Sequence, residues 1–181
     1  MKQSISRRSF LAGGAALAGF SLVHPVSAQG VPGPIGQTPV GSPVSIYNES
    51  GDETAKITVT AFTDPYLDWN EWGAPERGIR YVMATFQIEA TGERPFEFSP
   101  WDFKLLDDIG ILYRQGWVPR SDASTVAFPD LEEAIMLPGE IVTGSIAYSI
   151  PEVAIPMQLI YTGYGENEEF LYLLANVAPA S

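Results

Sequence analysis

Apolar and polar residues alternate along much of the chain, and the clearest instance runs from Pro100 to Tyr113. Phe103 and Leu105 alternate with Asp102 and Lys104, the period of a strand buried on one face. Asp107-Asp108-Ile109-Gly110 then supplies turn chemistry. An Asp accepts hydrogen bonds from the backbone that follows it, and a Gly takes the left-handed conformation that a type I turn with a bulge needs. Ile111-Leu112-Tyr113 returns as the second strand of a predicted hairpin.

The same period recurs on both sides. Lys56–Phe62 is rich in β-branched residues and reads as the first strand. Gly78–Ala90 is a long strand with Val82, Ala84, Phe86 and Ile88 on one face and Arg80 near its start. Thr91–Pro95 turns it, and Phe96-Glu97-Phe98 alternates briefly before the hairpin. Trp101 is assigned to the core between the two layers. Leu131–Leu137 is a further strand, and Pro138-Gly139 is a type II turn pair, with Pro presetting one central position and Gly accepting the positive φ of the next. Val142, Gly144, Ile146, Tyr148 and Ile150 alternate along the next strand, which Pro151 stops. Met157–Tyr161 follows, and Phe170–Leu174, apolar on both faces, reads as a covered inner strand. No segment carries a helical period. Eight or nine strands with turn signals about every ten residues predict an all-β, two-layer antiparallel sandwich.

The chain ahead of these strands has another character. Gly30–Pro43 holds four Gly and four Pro and cannot bury a core, so residues 29–54 are expected to be a disordered spacer and residues 55–176 the folded domain, with a start already near Val44 as the alternative. Arg7-Arg8 precede an apolar run from Phe10 to Val23, and Val26-Ser27-Ala28 has the small residues of a cleavage site. Residues 1–28 thus read as an export signal, too short and glycine-rich to span a membrane comfortably. Ser6-Arg7-Arg8-Ser9-Phe10-Leu11 resembles the twin-arginine motif of bacterial export signals, which implies a domain folded before export. The expected location is extracytoplasmic, either periplasm or medium.

Composition then narrows the chemistry. Cleavage removes Lys2, Arg7 and Arg8 and no acid, which takes the formal charge from −12 to −15. It also removes His24, the only histidine of a chain without cysteine. The exported product therefore has no disulfide, no thiolate or imidazole metal site, and no Ser-His-Asp or Cys-His nucleophile system. Its charge repels phosphate backbones and anionic lipid, so neither nucleic acid nor membrane insertion is expected of it. Paired carboxylates, as in glycosidases, are the one remaining catalytic route, and a sandwich of this size is not expected to offer a cleft for them. The chain is therefore read as not an enzyme.

The region Gly78–Tyr161 resembles an immunoglobulin-like domain family of secreted bacterial proteins of unknown function, to which a mycobacterial immunoprotective extracellular antigen is related. The residues that carry the likeness are Glu89-Ala90-Thr91-Gly92-Glu93-Arg94-Pro95-Phe96 closing the long strand, and the hairpin Phe103, Leu105, Asp107, Gly110, Tyr113. Leu137-Pro138-Gly139-Glu140 leading to Gly144 and Ile150-Pro151, then Leu159 and Tyr161, complete it. The resemblance implies an antiparallel immunoglobulin-like β-sandwich and transfers no catalytic residue. Ala90 stands where that family commonly has Asn, and the segment Asp64–Arg77 has no counterpart there.

That segment holds the richest chemistry. Asp64-Pro65-Tyr66-Leu67-Asp68-Trp69-Asn70-Glu71-Trp72 offers three carboxylates, an amide and three aromatic rings in nine residues. Tyr66, Trp69 and Trp72, with Trp117 of the second irregular loop, are candidate ligand-binding residues that would grip a protein or a surface polymer. Asp64, Asp68 and Glu71 are candidate oxygen ligands for calcium, the basis of an alternative reading as a Ca-dependent carbohydrate-binding or accessory module, although their spacing is not that of an EF-hand. Against both stands a plainer reading, in which the rings cap one end of the sandwich and the acids stay solvated. Asp107-Asp108 is assigned to the turn, and Glu166, Glu168 and Glu169 to a solvated acidic loop.

Overall fold

The computed structural model describes residues 38–70, 72–116, 118, 130–164 and 169–178. Ten strands, β1 (Pro43–Tyr47), β2 (Glu53–Thr63), β3 (Ile79–Ala90), β4 (Phe96–Phe98), β5 (Phe103–Asp107), β6 (Leu112–Tyr113), β7 (Ala134–Met136), β8 (Ile141–Pro151), β9 (Pro156–Tyr164) and β10 (Glu169–Asn176), form an all-β sandwich. One four-stranded sheet has the order β1-β2-β3-β8, the facing one β10-β9-β5-β6, and β4 pairs with β7 as a small ribbon. Every strand pair is antiparallel.

Alternation decides which side chains enter the interior. Val82, Ala84, Phe86 and Ile88 of β3 are fully enclosed, as the period required, and meet Ile146, Tyr148 and Ile150 of β8. Phe103 is the hub between the layers, with ring centroids 4.8 Å from Phe86, 5.1 Å from Tyr161 and 6.2 Å from Phe98. Burying a side chain of this kind contributes roughly 1.5–3 kcal/mol, so this aromatic cluster is a major share of the hydrophobic driving force. Trp101 is not in the core. It sits 58% exposed on a single 3-10 turn, Pro100–Asp102, because Phe98 and Phe103 on either side take the inward positions.

The hairpin forms as its sequence requires, with Leu105 opposite Tyr113 and Leu106 opposite Leu112. The buried Asp107 carboxylate accepts from Ile109 N–H (3.1 Å), Ile111 N–H (2.7 Å) and the Tyr113 hydroxyl (2.8 Å), and Gly110 takes φ +86. Burial alone would raise its pKa, but the bonds from Ile111, Tyr113, Ile109 and Gly110 outweigh it and hold the carboxyl below the usual value. A depressed folded-state pKa contributes stability that is complete above the unfolded value, about 3.9, and disappears as pH falls through the folded one. The stability gap between wild type and Asp107→Asn, read from urea midpoints, is therefore expected to be widest above pH 4 and to close towards pH 2. A gap that stays constant across that range would contradict this account.

Four elements depart from the sequence reading. β1 lies inside the stretch expected to be spacer: Val44 and Ile46 are buried and β1 pairs with β2 from Pro43↔Thr58 to Ile46↔Ala55. The Gly/Pro density just upstream masks a short alternation that only β2 can complete. Of Leu131–Leu137, only Ala134–Met136 is a strand, while Leu131 donates its N–H to Ser145 O at 2.9 Å. β10 is an edge strand rather than a covered inner one, and Leu171 is 68% exposed. Finally, with β1 added the strand number is ten, beyond the eight or nine expected.

The two sheets are also laced along one seam. Asn176 N–H donates to Thr38 O at 2.7 Å, Pro39 bridges Asn176, and the Tyr172 hydroxyl donates to Tyr47 O at 2.8 Å. The segment read from sequence as an export signal, and the rest of the chain upstream of Thr38, lie outside the described residues.

Candidate functional site

The Asp64–Arg77 segment is a loop, and its base is clamped. The Arg80 guanidinium donates to both Asp64 oxygens, at 2.7 and 3.0 Å. It also donates to the carbonyls of Pro151 (2.9 Å), Glu152 (2.7 Å) and Ala154 (2.9 Å). All five of its N–H donors are thereby used. The planar fork of Arg suits this double duty, one edge on a carboxylate and the rest on backbone. Hydrogen bonding to Asp64 raises the Arg80 pKa further, against the opposing pull of burial. The Asp64–Pro65 peptide is cis.

Beyond the clamp the aromatic residues separate into different roles. Tyr66 is buried, donates N–H to Tyr81 O (2.8 Å) and its hydroxyl to Asp68 O (2.9 Å), and packs with Met83, Val118 and Ala147 on the outer side of the β3–β8 pair. Trp69 is half-buried against the same cluster. Tyr66 thus anchors the loop and is not available as a contact face, contrary to its candidate role. Trp72 points the other way: it is 86% exposed, and its N–H donates to Asn70 Oδ1 at 3.0 Å in a local side-chain turn. Leu67, five residues earlier in the same loop, is also exposed. Trp117 and Glu71 lie outside the described residues.

The clamp bears directly on the calcium candidates. Both Asp64 oxygens are engaged by Arg80, so the carboxylate is not a free ligand. Among the described residues no group of three carboxylates or other donors is disposed to hold a metal. At this same end the β5–β6 turn meets the β8–β9 turn, with Asp108 N–H donating to Ile155 O (3.0 Å) and Ile155 N–H to Asp108 Oδ1 (3.2 Å). The two turns display Ile109, Ile111, Val153 and Ile155 to solvent.

A second feature lies at the far end. β2 runs eleven residues from Glu53 to Thr63, which at about 3.3 Å per residue places the two ends roughly 30–35 Å apart. There the turn after β1, the segment Arg94–Asp102 and the end of β9 enclose an open groove of about 770 Å³. Its walls include Phe96, Tyr161, Tyr164 and Phe170, and the carboxylates of Glu97, Asp102 and Glu133. Phe96 and Tyr161 rings are 6.3 Å apart, and Tyr161 and Tyr172 are 6.1 Å apart. Gly163 lets these rings close in, since a Cβ there would stand 3.3 Å from the Tyr172 ring. Burial raises the Asp102 pKa, Ser99 N–H (2.8 Å) and Lys104 pull it down, and the charges of Glu133 and Glu97 add to the rise. No linear motif announces this groove. Its residues come from five separate segments, and only the brief Phe96-Glu97-Phe98 alternation hints that one face carries rings.

The fold is similar to that of MPT63, a secreted protein of Mycobacterium tuberculosis, at 16% identity and TM-score 0.54, with 81% of this chain and 99% of that one covered. It is also similar to the YjhA protein of Bacillus subtilis, at 15% identity and TM-score 0.52, covering 76% of this chain and 99% of that one. No curated protein sequence matches the chain. Residues 45–169 match the family described as a domain of unknown function, DUF4352, and they contain both the clamped loop and the greater part of the groove. With more than half of its length covered by that match, from β1 to the start of β10, the chain belongs to the DUF4352 family.

Proposed function

We propose that this protein is an exported, non-catalytic binding module whose Asp64–Arg77 loop grips a protein or a surface polymer, with Trp72 as the anchor. One observation carries the reading: a tryptophan 86% exposed on a loop whose base is fixed by Arg80 and Tyr66. An exposed Trp costs solvation and returns it when a partner covers the ring, which is why such residues dominate binding interfaces. A pinned loop loses little further freedom on binding. The exposed Ile109, Ile111, Val153 and Ile155 at the same end add apolar surface suited to a macromolecular partner. The twin-arginine-type segment and the secreted character of MPT63 support an extracytoplasmic location. Among the described residues, no helix is long and apolar enough to cross a membrane.

The test uses the processed protein immobilised on beads and challenged with the producing bacterium's envelope and culture-medium fractions. Trp72→Ala is expected to abolish capture, at least about tenfold, with an unchanged melting temperature. Trp69→Ala is expected to cost about 2 kcal/mol, because it opens part of a packed cluster, and to lower the melting temperature by roughly 5 °C. Capture undiminished in Trp72→Ala, or a Trp72→Ala protein that melts as low as Trp69→Ala, would overturn the assignment.

A further inference from the structure

We infer that the groove at the far end of the sandwich binds a primary alkylammonium ligand, held by carboxylates and aromatic faces. Three observations converge on that chemistry. The first is charge. Among the groove's lining residues Glu97, Asp102 and Glu133 stand together, and the lining cation is Arg94. Among the described residues the ion pairs are Glu53–Lys56 and Asp64–Arg80, so neither Glu97, Asp102 nor Glu133 has a cation within salt-bridge distance. Lys104, the other cation near Asp102, gives its ammonium to the Thr162 hydroxyl at 3.0 Å.

The second is surface. Phe96, Tyr161, Tyr164 and Phe170 line the groove, and aromatic rings attract cations through their quadrupole, more strongly where water is partly excluded. The third is a polar atom waiting for a partner. Tyr161 is 3% exposed and lines the groove. Its hydroxyl has no hydrogen-bond partner among the described residues, and it is not one of the fully enclosed orphans, which are Thr91 and Tyr148. Its oxygen therefore opens onto the groove, where a donor on a ligand can take the place of water.

These groups are mostly acceptors. Ionised carboxylates accept only, and a phenol oxygen accepts through its lone pairs. A neutral polyol would offer donors without relieving the negative field, whereas an ammonium offers three donors and the compensating charge together. The raised pKa of Asp102, set by burial and by Glu133 and Glu97, is the same field seen from inside. An ammonium placed among them would reverse that rise.

The experiment titrates the processed protein with 1,5-diaminopentane and, as the uncharged counterpart, 1,5-pentanediol, with cellotetraose as a sugar probe. Calorimetry at pH 7 and fixed ionic strength gives affinities, and tyrosine ring resonances locate the site. The diamine is expected to bind saturably and to move the Tyr161 and Tyr164 resonances, while the diol and the sugar do neither. Glu97→Gln and Glu133→Gln, both at exposed positions, are each expected to weaken binding about fivefold. Tyr161→Phe keeps the packing and should weaken it about threefold. Glu152→Gln, which removes a charge at the opposite end, should leave it unchanged. No saturable binding of the diamine, equal binding of the diol or sugar, or equal weakening by Glu152→Gln would overturn the inference. The last outcome would reduce the effect to attraction by an acidic surface.

Discussion

Arg80→Met is expected to cost about 3 kcal/mol and to lower the melting temperature by roughly 6–12 °C. The reason is the number of groups orphaned at once. The guanidinium supplies hydrogen bonds to Asp64 and to the carbonyls of Pro151, Glu152 and Ala154, and its side chain is only 20% exposed. Methionine fills the volume but leaves three carbonyls and a carboxylate short of donors. The carboxylate and part of the turn can recover water, which keeps the loss below that of a fully buried pair. Arg80→Lys should recover little, because an ammonium has three donors on one point and cannot bridge a carboxylate and a turn simultaneously. The check is a urea melt of both variants, with Trp fluorescence reporting on the loop. A loss below about 1 kcal/mol, the level of an exposed ion pair, would show that the clamp is incidental.

Gly144→Ala is expected to cost a similar amount, about 3 kcal/mol, for an unrelated reason. A Cβ at Gly144 would stand 2.6 Å from Leu131 Cα and 2.8 Å from Leu131 N, both backbone atoms that cannot rotate away. Leu131 is held there by its N–H bond to Ser145 O and by a side chain 2% exposed in the core. The clash must therefore push the 130–131 segment off the free edge of β8, losing that bond and part of the Leu131 burial together. Gly139→Ala is a useful contrast, since Gly139 takes φ +85 with open space around it. It should cost only the backbone strain of the left-handed region, about 1–2 kcal/mol. If Gly144→Ala melts at or above Gly139→Ala, close approach is not what that position requires.

What the sequence discloses of this fold depends on how local the cause is. The Asp107–Gly110 turn and the Pro138-Gly139 turn are legible because their chemistry lies within four residues, and Glu140 N–H indeed closes onto Leu137 O at 3.0 Å. The stripes of β3 and β8 are legible because each is long enough to show its period. β1 is not, for its five residues follow a Gly/Pro-rich run and acquire meaning only against β2. β10 looks enclosed from composition, yet which strand lies at an edge is a property of the whole sheet order. Trp101 illustrates the same limit, since Ser99 and Asp102 cap a 3-10 turn that swings its ring outward.

The candidate site divides along the same line. The loop stands out in the sequence as a concentration of acids and rings, but nothing local says that Tyr66 turns in while Trp72 turns out. That choice is made by Met83 and Ala147, which face outward on neighbouring strands and give Tyr66 a surface to cover. Arg80 is visible only as a charged residue near the start of a strand. Its partners lie 16 residues before it and more than 70 after it. The groove is wholly a product of the closed sandwich.

The seam that joins Thr38 and Pro39 to Asn176 fixes how the body can be suspended. Thr38 and Asn176 therefore stand side by side, on the side of β1 away from the Tyr47–Asn48 rim. Anything fused or fastened to either end would thus hold the molecule by a single handle. The ring-lined mouth would then look outward from the support.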